Sequence, residues 1–160
     1  MSTRTLIGLA FALLVASTLG CSAGDADRKA SPTHDLYDRL GEQTLRAVVN
    51  DTVDIAAKDP KVALDRAGKA AGRTATPQNV ENFKRGLFQF VAAASGGPQE
   101  YTGKDMATAH KGMNITNEQF DAMLSHLEAA MDKNQVPQDA QRQLRQIFNG
   151  TRGAIVQQPK

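Results

Sequence analysis

A chain of 160 residues with 19 basic and 17 acidic side chains, a net charge of +2, is the length of one domain and lacks the concentrated basic face of a general nucleic-acid binder. Aromatic residues make up 5% and tryptophan is absent, which excludes broad stacking platforms for carbohydrate or single-stranded nucleic acid. A single cysteine, Cys21, excludes a disulfide framework.

The amino-terminal stretch Leu6 to Leu19, LIGLAFALLVASTL, carries no charge and follows Arg4. It falls short of the about 20 apolar residues that a membrane-spanning helix needs. A positive start, a short apolar run and small residues at its end make an export signal over residues 1–20, so the mature chain begins near Cys21. Ser17-Thr18-Leu19-Gly20 before Cys21 resembles a bacterial lipoprotein signal, with Thr18 standing where leucine is usual. That resemblance implies a lipidated Cys21 and a protein held at a membrane, facing the periplasm or the cell exterior. Ordinary cleavage nearby, after Ala23, is the alternative. Residues 21–34, which include SAGDADRKASP, are small, polar and unpatterned and read as a flexible tether.

From residue 35 to 158 the apolar residues recur at helical spacing, and no strand alternation competes with them. Leu45, Val48, Val49, Thr52, Val53 and Ala56 form one face of a first helix, stopped by Asp59-Pro60. A second helix opens at Thr76-Pro77, presents Val80, Phe83, Leu87, Phe90, Val91 and Ala94, and stops at Gly96-Gly97-Pro98. A short third helix carries Met106, Ala109 and His110 and is ended by Gly112. The fourth begins at a Thr116/Gln119 capping box and buries Phe120, Met123, Leu124, Leu127 and Met131. Pro137 opens the last, with the stripe Ala140, Leu144, Ile147, Phe148, Thr151 and Ile155. The fold class is all-α. The stretch 59–76 breaks this rhythm: it is long, locally basic and best read as a solvated connection.

Only three histidines are present. His34 ends the tether, and His126 reads as a polar-edge residue making one hydrogen bond. His110 lies on the short helix four residues after Met106, so the two share a face. No second histidine or cysteine stands at zinc-ligand spacing, no carboxylate pair is placed for acid–base work, and no nucleophilic triad stands out. Taken alone, a helical histidine is more often structural than a ligand.

The run SGGPQEYTGKDMATAHKGMNIT, residues 95 to 116, resembles the centre of a group I truncated haemoglobin, and Leu36-Tyr37-Asp38-Arg39-Leu40-Gly41 resembles that family's opening. The resemblance continues through Phe120 and His126-Leu127. It implies a compact two-over-two globin that binds haem b, with His110 as the proximal iron ligand. Met106, Ile115, Phe120, Met123 and Leu124 would form the apolar wall. The family often places a tyrosine and a glutamine on the opposite, distal side, and the matching positions here are Val53 and Leu87, with Phe83 one turn earlier. The phenylalanine that usually packs on the haem has no clear counterpart, Val62 and Leu64 being the substitutes, and the 59–76 connection looks like an insertion. Lys84, Arg85 and Tyr101 are the candidates for the haem propionates, and the two cations are equally well read as the wet face of their helix.

The implied function is reversible binding of a diatomic gas, oxygen, nitric oxide or carbon monoxide, with weak retention of oxygen on an apolar distal side. Nitric oxide dioxygenation rests on family analogy alone, and the sequence names no redox partner. The competing expectation is a haem-free, globin-like lipoprotein acting as an adaptor. Electron transfer would need a second axial ligand, and Lys84, the nearest strong candidate, points away from the Phe83/Leu87 face.

Overall fold

The computed structural model describes residues 36–62 and 76–157. The signal, Cys21, the tether, His34 and most of the 59–76 connection lie outside these residues.

The described residues form helices α1 (Leu36–Ala56), α2 (Pro77–Ala94), α3 (Met106–His110), α4 (Asn117–Lys133), α5 (Gln138–Gly150) and α6 (Arg152–Ile155). The one strand-like contact among them is a parallel bridge between Ile115 and Val156. None of these helices is long and apolar enough to cross a membrane.

Helix α1 starts earlier than its apolar stripe and bends at Gly41, whose φ of 76° is the left-handed conformation that glycine tolerates best. Beyond the bend, all six stripe residues from Leu45 to Ala56 are buried. Its neighbours can be placed from the contacts they make. Lys133 and Asn134 reach Asp51 at 2.6 and 2.7 Å, while His126 Nε2 lies 2.8 Å from Asp59 Oδ2. As α1 advances toward Asp59, α4 retreats, so the two run antiparallel. The Arg46 guanidinium lies 3.8 Å over the Phe88 ring and Lys84 pairs with Asp54 at 2.8 Å, so α2 is also antiparallel to α1. Gln141–Asp132 and Arg145–Glu128 set the same relation between α4 and α5. The result is two antiparallel helix pairs sharing one core.

The ends of the helices follow local chemistry. Thr76 accepts from the Asn79 N–H at 3.2 Å and Pro77 fills the first turn of α2. Thr116 and Gln119 form the full capping box of α4. At the end of α2, Gly97 N donates to Ala92 O and Gly96 N to Ala93 O, a Schellman closure with Gly96 at φ 86°. A Cβ on Gly97 would come within 2.5 Å of the buried Tyr37 ring. Gly96 is thus required by its backbone angle, Gly97 by close approach, and Pro98 prevents the helix from resuming.

Of the apolar stripe expected on α2, Val91 is buried, together with Phe88 and Ala92 from outside that stripe, whereas Val80, Leu87, Phe90 and Ala94 are half-buried and Phe83 is 38% exposed. At 100° per residue, the Phe88/Val91/Ala92 face lies roughly 120° around the helix from Phe83, Leu87 and Phe90. Helix α2 therefore carries two apolar faces, and only one is spent on α1. The last helix also ends sooner than its pattern: Thr151 hydroxyl and amide both bond to Phe148 O, the chain turns, and Ile155 belongs to α6. Pro137 flanks α5 as its cap residue.

Gly97→Ala should lower stability by about 1–3 kcal/mol, because the Tyr37 ring must move. Gly86→Ala, mid-helix with open space around its Cβ, should raise it by about 0.5–1 kcal/mol. Urea unfolding of the pair checks both signs. Asp59 is held below its ordinary 3.8 by the Lys61 N–H, against the opposing effect of burial and with help from His126. A lowered carboxylate stabilises above 3.8 and loses that contribution as pH falls through its folded value. In Asp59→Asn, the melting temperature should therefore fall less steeply between pH about 5 and about 2 than it does in the parent protein.

Candidate functional site

The site is built around α3, five residues long and without a fully buried side chain. Its approach is fixed by Tyr101, whose hydroxyl donates to Lys104 O at 2.7 Å and whose ring lies over Gly103. A Cβ on Gly103 would meet that ring at 2.4 Å, so only glycine admits this fold of the turn. The ring also meets Phe90 edge to face at 5.7 Å, tying the turn to α2. Asp105 then caps α3 by accepting from Thr108 N at 2.9 Å. The bonds around Thr108, side chain first and backbone second, hold the Asp105 carboxyl below its usual range.

His110 sits in the last turn of α3, with Nδ1 2.8 Å from Met106 O. A carbonyl can only accept, so in the neutral ring the hydrogen is on Nδ1 and the lone pair on Nε2. Nε2 has no protein partner among the described residues. After His110 the chain turns through Gly112 and Asn114, with φ of 80° and 50°. This turn is held by Gln157, which donates from Nε2 to His110 O at 3.2 Å, accepts at Oε1 from Asn114 N at 3.2 Å, and donates from its backbone N to Ile115 O at 2.9 Å.

The expected wall residues separate into two groups. Val53, Phe120 and Leu124 are buried in the protein itself. Met106, Ile115, Met123, Leu87 and Tyr101 are only half-buried, and Phe83 is the exposed large hydrophobic residue of the described chain. Single exposed apolar residues are common, but here they coincide with the second apolar face of α2 and with the helix of His110. An imidazole of fixed tautomer with a free Nε2, beside incompletely covered apolar side chains, is a donor set and setting that haem fits.

The polar candidates are committed elsewhere. Lys84 is held between Asp54 at 2.8 Å and Glu81 at 3.4 Å, and those carboxylates, Asp54 foremost, raise its pKa. Arg85 donates to Asn82 at 2.8 Å, and the Tyr101 hydroxyl hydrogen is spent on Lys104. Thr52, next to Val53, donates its hydroxyl to Val48 O at 2.7 Å inside α1. His126 makes the one side-chain bond expected of it, to Asp59. No cluster of three or more His, Cys, Asp or Glu among the described residues could hold a bare metal ion. Sequence reasoning missed Gln157, whose partners lie more than forty residues earlier in the chain and leave no periodic signal.

Comparison with known proteins identifies the fold that carries these residues. The pattern of a family described as bacterial-like globin matches residues 35–157. Over 113 residues the chain is 32% identical to a group 1 truncated hemoglobin, GlbN, of Mycolicibacterium paratuberculosis, covering 70% of this chain and 76% of that protein. A group 1 truncated hemoglobin of Tetrahymena thermophila is 43% identical over 53 residues, which span 33% of this chain and 44% of that protein. The crystal structure of a mutant truncated hemoglobin from Tetrahymena pyriformis, in its Fe(III) form, superposes with a TM-score of 0.65 at 26% identity, covering 77% of this chain and 98% of that one. A helical core of two antiparallel pairs and a family match over most of its length place this chain in the bacterial-like globin family, with the truncated, two-over-two form of the fold.

Proposed function

We propose that this protein binds a diatomic gas reversibly on haem iron held by His110, with a distal side that offers the gas no strong hydrogen-bond donor. Haem iron is the cofactor of the fold, and when bound it supplies an open coordination position for oxygen, nitric oxide or carbon monoxide. The observation that carries the assignment of His110 is its Nδ1 contact to Met106 O, which leaves Nε2 free and fixes the ring. The family match favours this reading over a haem-free adaptor.

On the distal side, the half-buried Leu87 supplies only apolar surface, Val53 is fully buried, and the Thr52 hydroxyl beside it is committed to its own helix. A hydrogen bond to a charged partner contributes about 1.5–3 kcal/mol, so its loss weakens oxygen retention by roughly 10–100-fold. Carbon monoxide forms a less polar adduct and loses less. This favours gas sensing or nitric oxide handling over oxygen storage. Dioxygenation of nitric oxide would further require a reductant supplied from outside this chain.

An absorption spectrum of the exported domain, purified with haem supplied, tests the iron ligand. The Soret band should shift on adding carbon monoxide to the reduced protein, and His110→Ala should lose or alter that band; an unaltered spectrum in the variant would refute the assignment. Leu87 is half-buried, whereas Val53 is fully buried. Leu87→Gln should slow oxygen release about tenfold and leave carbon monoxide release nearly unchanged. Equal effects on both gases would argue against an apolar distal side.

The proposed location is a membrane facing the periplasm or cell exterior, through a lipidated Cys21. What supports it is the charge-free run from Leu6 to Leu19 followed by Gly20-Cys21. Cys21→Ser should move the protein from the membrane fraction to the soluble one, and the mature amino-terminal peptide should carry the mass of acyl chains. A soluble parent protein cleaved after Ala23 would refute the anchor.

A further inference from the structure

We infer that Gln157 is the positioning residue of the proximal histidine, setting where the His110 ring stands by clamping the backbone on its exit side. The inference rests on His110 being the iron ligand. Helix α3 cannot hold that ring by packing, because it is a five-residue helix with no fully buried side chain. Asp105 secures its first turn. Its last turn is held locally by His110 Nδ1 on Met106 O and by Met113 N, which donates to His110 O at 3.1 Å, and the chain then leaves through two left-handed residues, Gly112 and Asn114.

Those bonds are local to the turn; Gln157 adds the hold that ties it to a distant part of the chain. Its side-chain nitrogen donates to His110 O, its side-chain oxygen accepts from Asn114 N, and its backbone N–H donates to Ile115 O. A carbonyl only accepts and an amide N–H only donates, so one orientation of the Gln157 amide satisfies both side-chain bonds. The adjacent Val156 forms the parallel bridge to Ile115. Two points of the turn are thereby held by one side chain and a third by the backbone.

The clamp is itself anchored. Gln157 follows α6, which packs against α3 and whose Arg152 bonds to Asn117 and Asp121 of α4. The Arg152 guanidinium also lies 4.4 Å from the centre of the Phe120 ring. Helix α4 belongs to the buried core, so the histidine is referenced to the most rigid part of the molecule through α6 and Gln157. Met106 O controls which ring nitrogen is free, while Gln157 controls where that nitrogen lies.

The test uses the full mature chain loaded with haem, compared with Gln157→Ala and Gln157→Glu. The second variant keeps an acceptor for Asn114 N and sets a carboxylate oxygen against His110 O. Two quantities are read: the iron–imidazole stretching band of the reduced, gas-free protein by resonance Raman, and the rate of haem transfer to an excess of an apoglobin acceptor. Both variants should shift or broaden the band and speed haem loss by about tenfold, near the low end for groups that orient a metal ligand. Circular dichroism should show unchanged helix content, which separates mispositioning from unfolding. An unchanged band and unchanged haem loss in both variants, with the parent band abolished by His110→Ala, would overturn the role of Gln157 and leave His110 as the ligand. If His110→Ala itself retains the parent band, His110 is not the ligand and both claims fall.

Discussion

The long helices take their positions from the apolar stripe of α1, which is covered by α2 on one side and by α4 on the other. Leu45, Val48, Val49, Thr52 and Val53 are almost completely removed from water. Burial on that scale is the dominant favourable term in so small a core, at about 1.5–3 kcal/mol for each large aliphatic side chain. The polar ties between α1 and its neighbours, such as Lys133–Asp51 and Lys84–Asp54, run along the rims of this contact. They are partly exposed and add little to stability, but they fix register and direction. With α1 sandwiched in this way, the Phe83/Leu87/Phe90 face of α2 and the short helix α3 are left beside the core and outside it.

That division explains why the candidate site combines a firm floor with loose walls. Phe120 and Leu124 belong to the core, so they are rigid whatever lies above them. Met106, Met123, Ile115 and Leu87 are half-covered and can still adapt to a flat apolar ligand. The histidine stands on the element with the least packing of its own and is oriented by hydrogen bonds, one to its ring and several to its backbone. Packing sets the shape of the site, and hydrogen bonds set the aim of the His110 ring.

Much of this was legible in the sequence where the cause is local. The α1 stripe, the Thr76-Pro77 start, the capping box at Thr116 and the Gly96-Gly97-Pro98 stop are all decided by residues within a few positions of one another. The motif around His110 was legible for the same reason. What escaped was set by partners far along the chain. Phe88 falls outside the apolar stripe of α2, among Lys84 and Arg85, and only the Arg46 guanidinium over its ring shows that this side faces α1. The bond from His126 was foreseen but not its acceptor, because Asp59 is separated from it by two helices. Gln157 carries no pattern at all; only the folded backbone shows that its amide has the length to span His110 and Asn114.

The sandwiching of α1 also dictates an order of events during folding. Helix α2 can dock early, since its sequence follows soon after, but the other side of the stripe stays bare until α4 has been synthesised and has paired back on it. Contacts between such distant segments are slow to form, and an uncovered aliphatic stripe is prone to stick to other chains in the interval. Helix α3 lies between these segments in sequence yet is tied to α6 and Gln157, which follow every core helix along the chain. A chain halted before Gln157 would therefore possess its core without the long-range ties of the helix that carries His110.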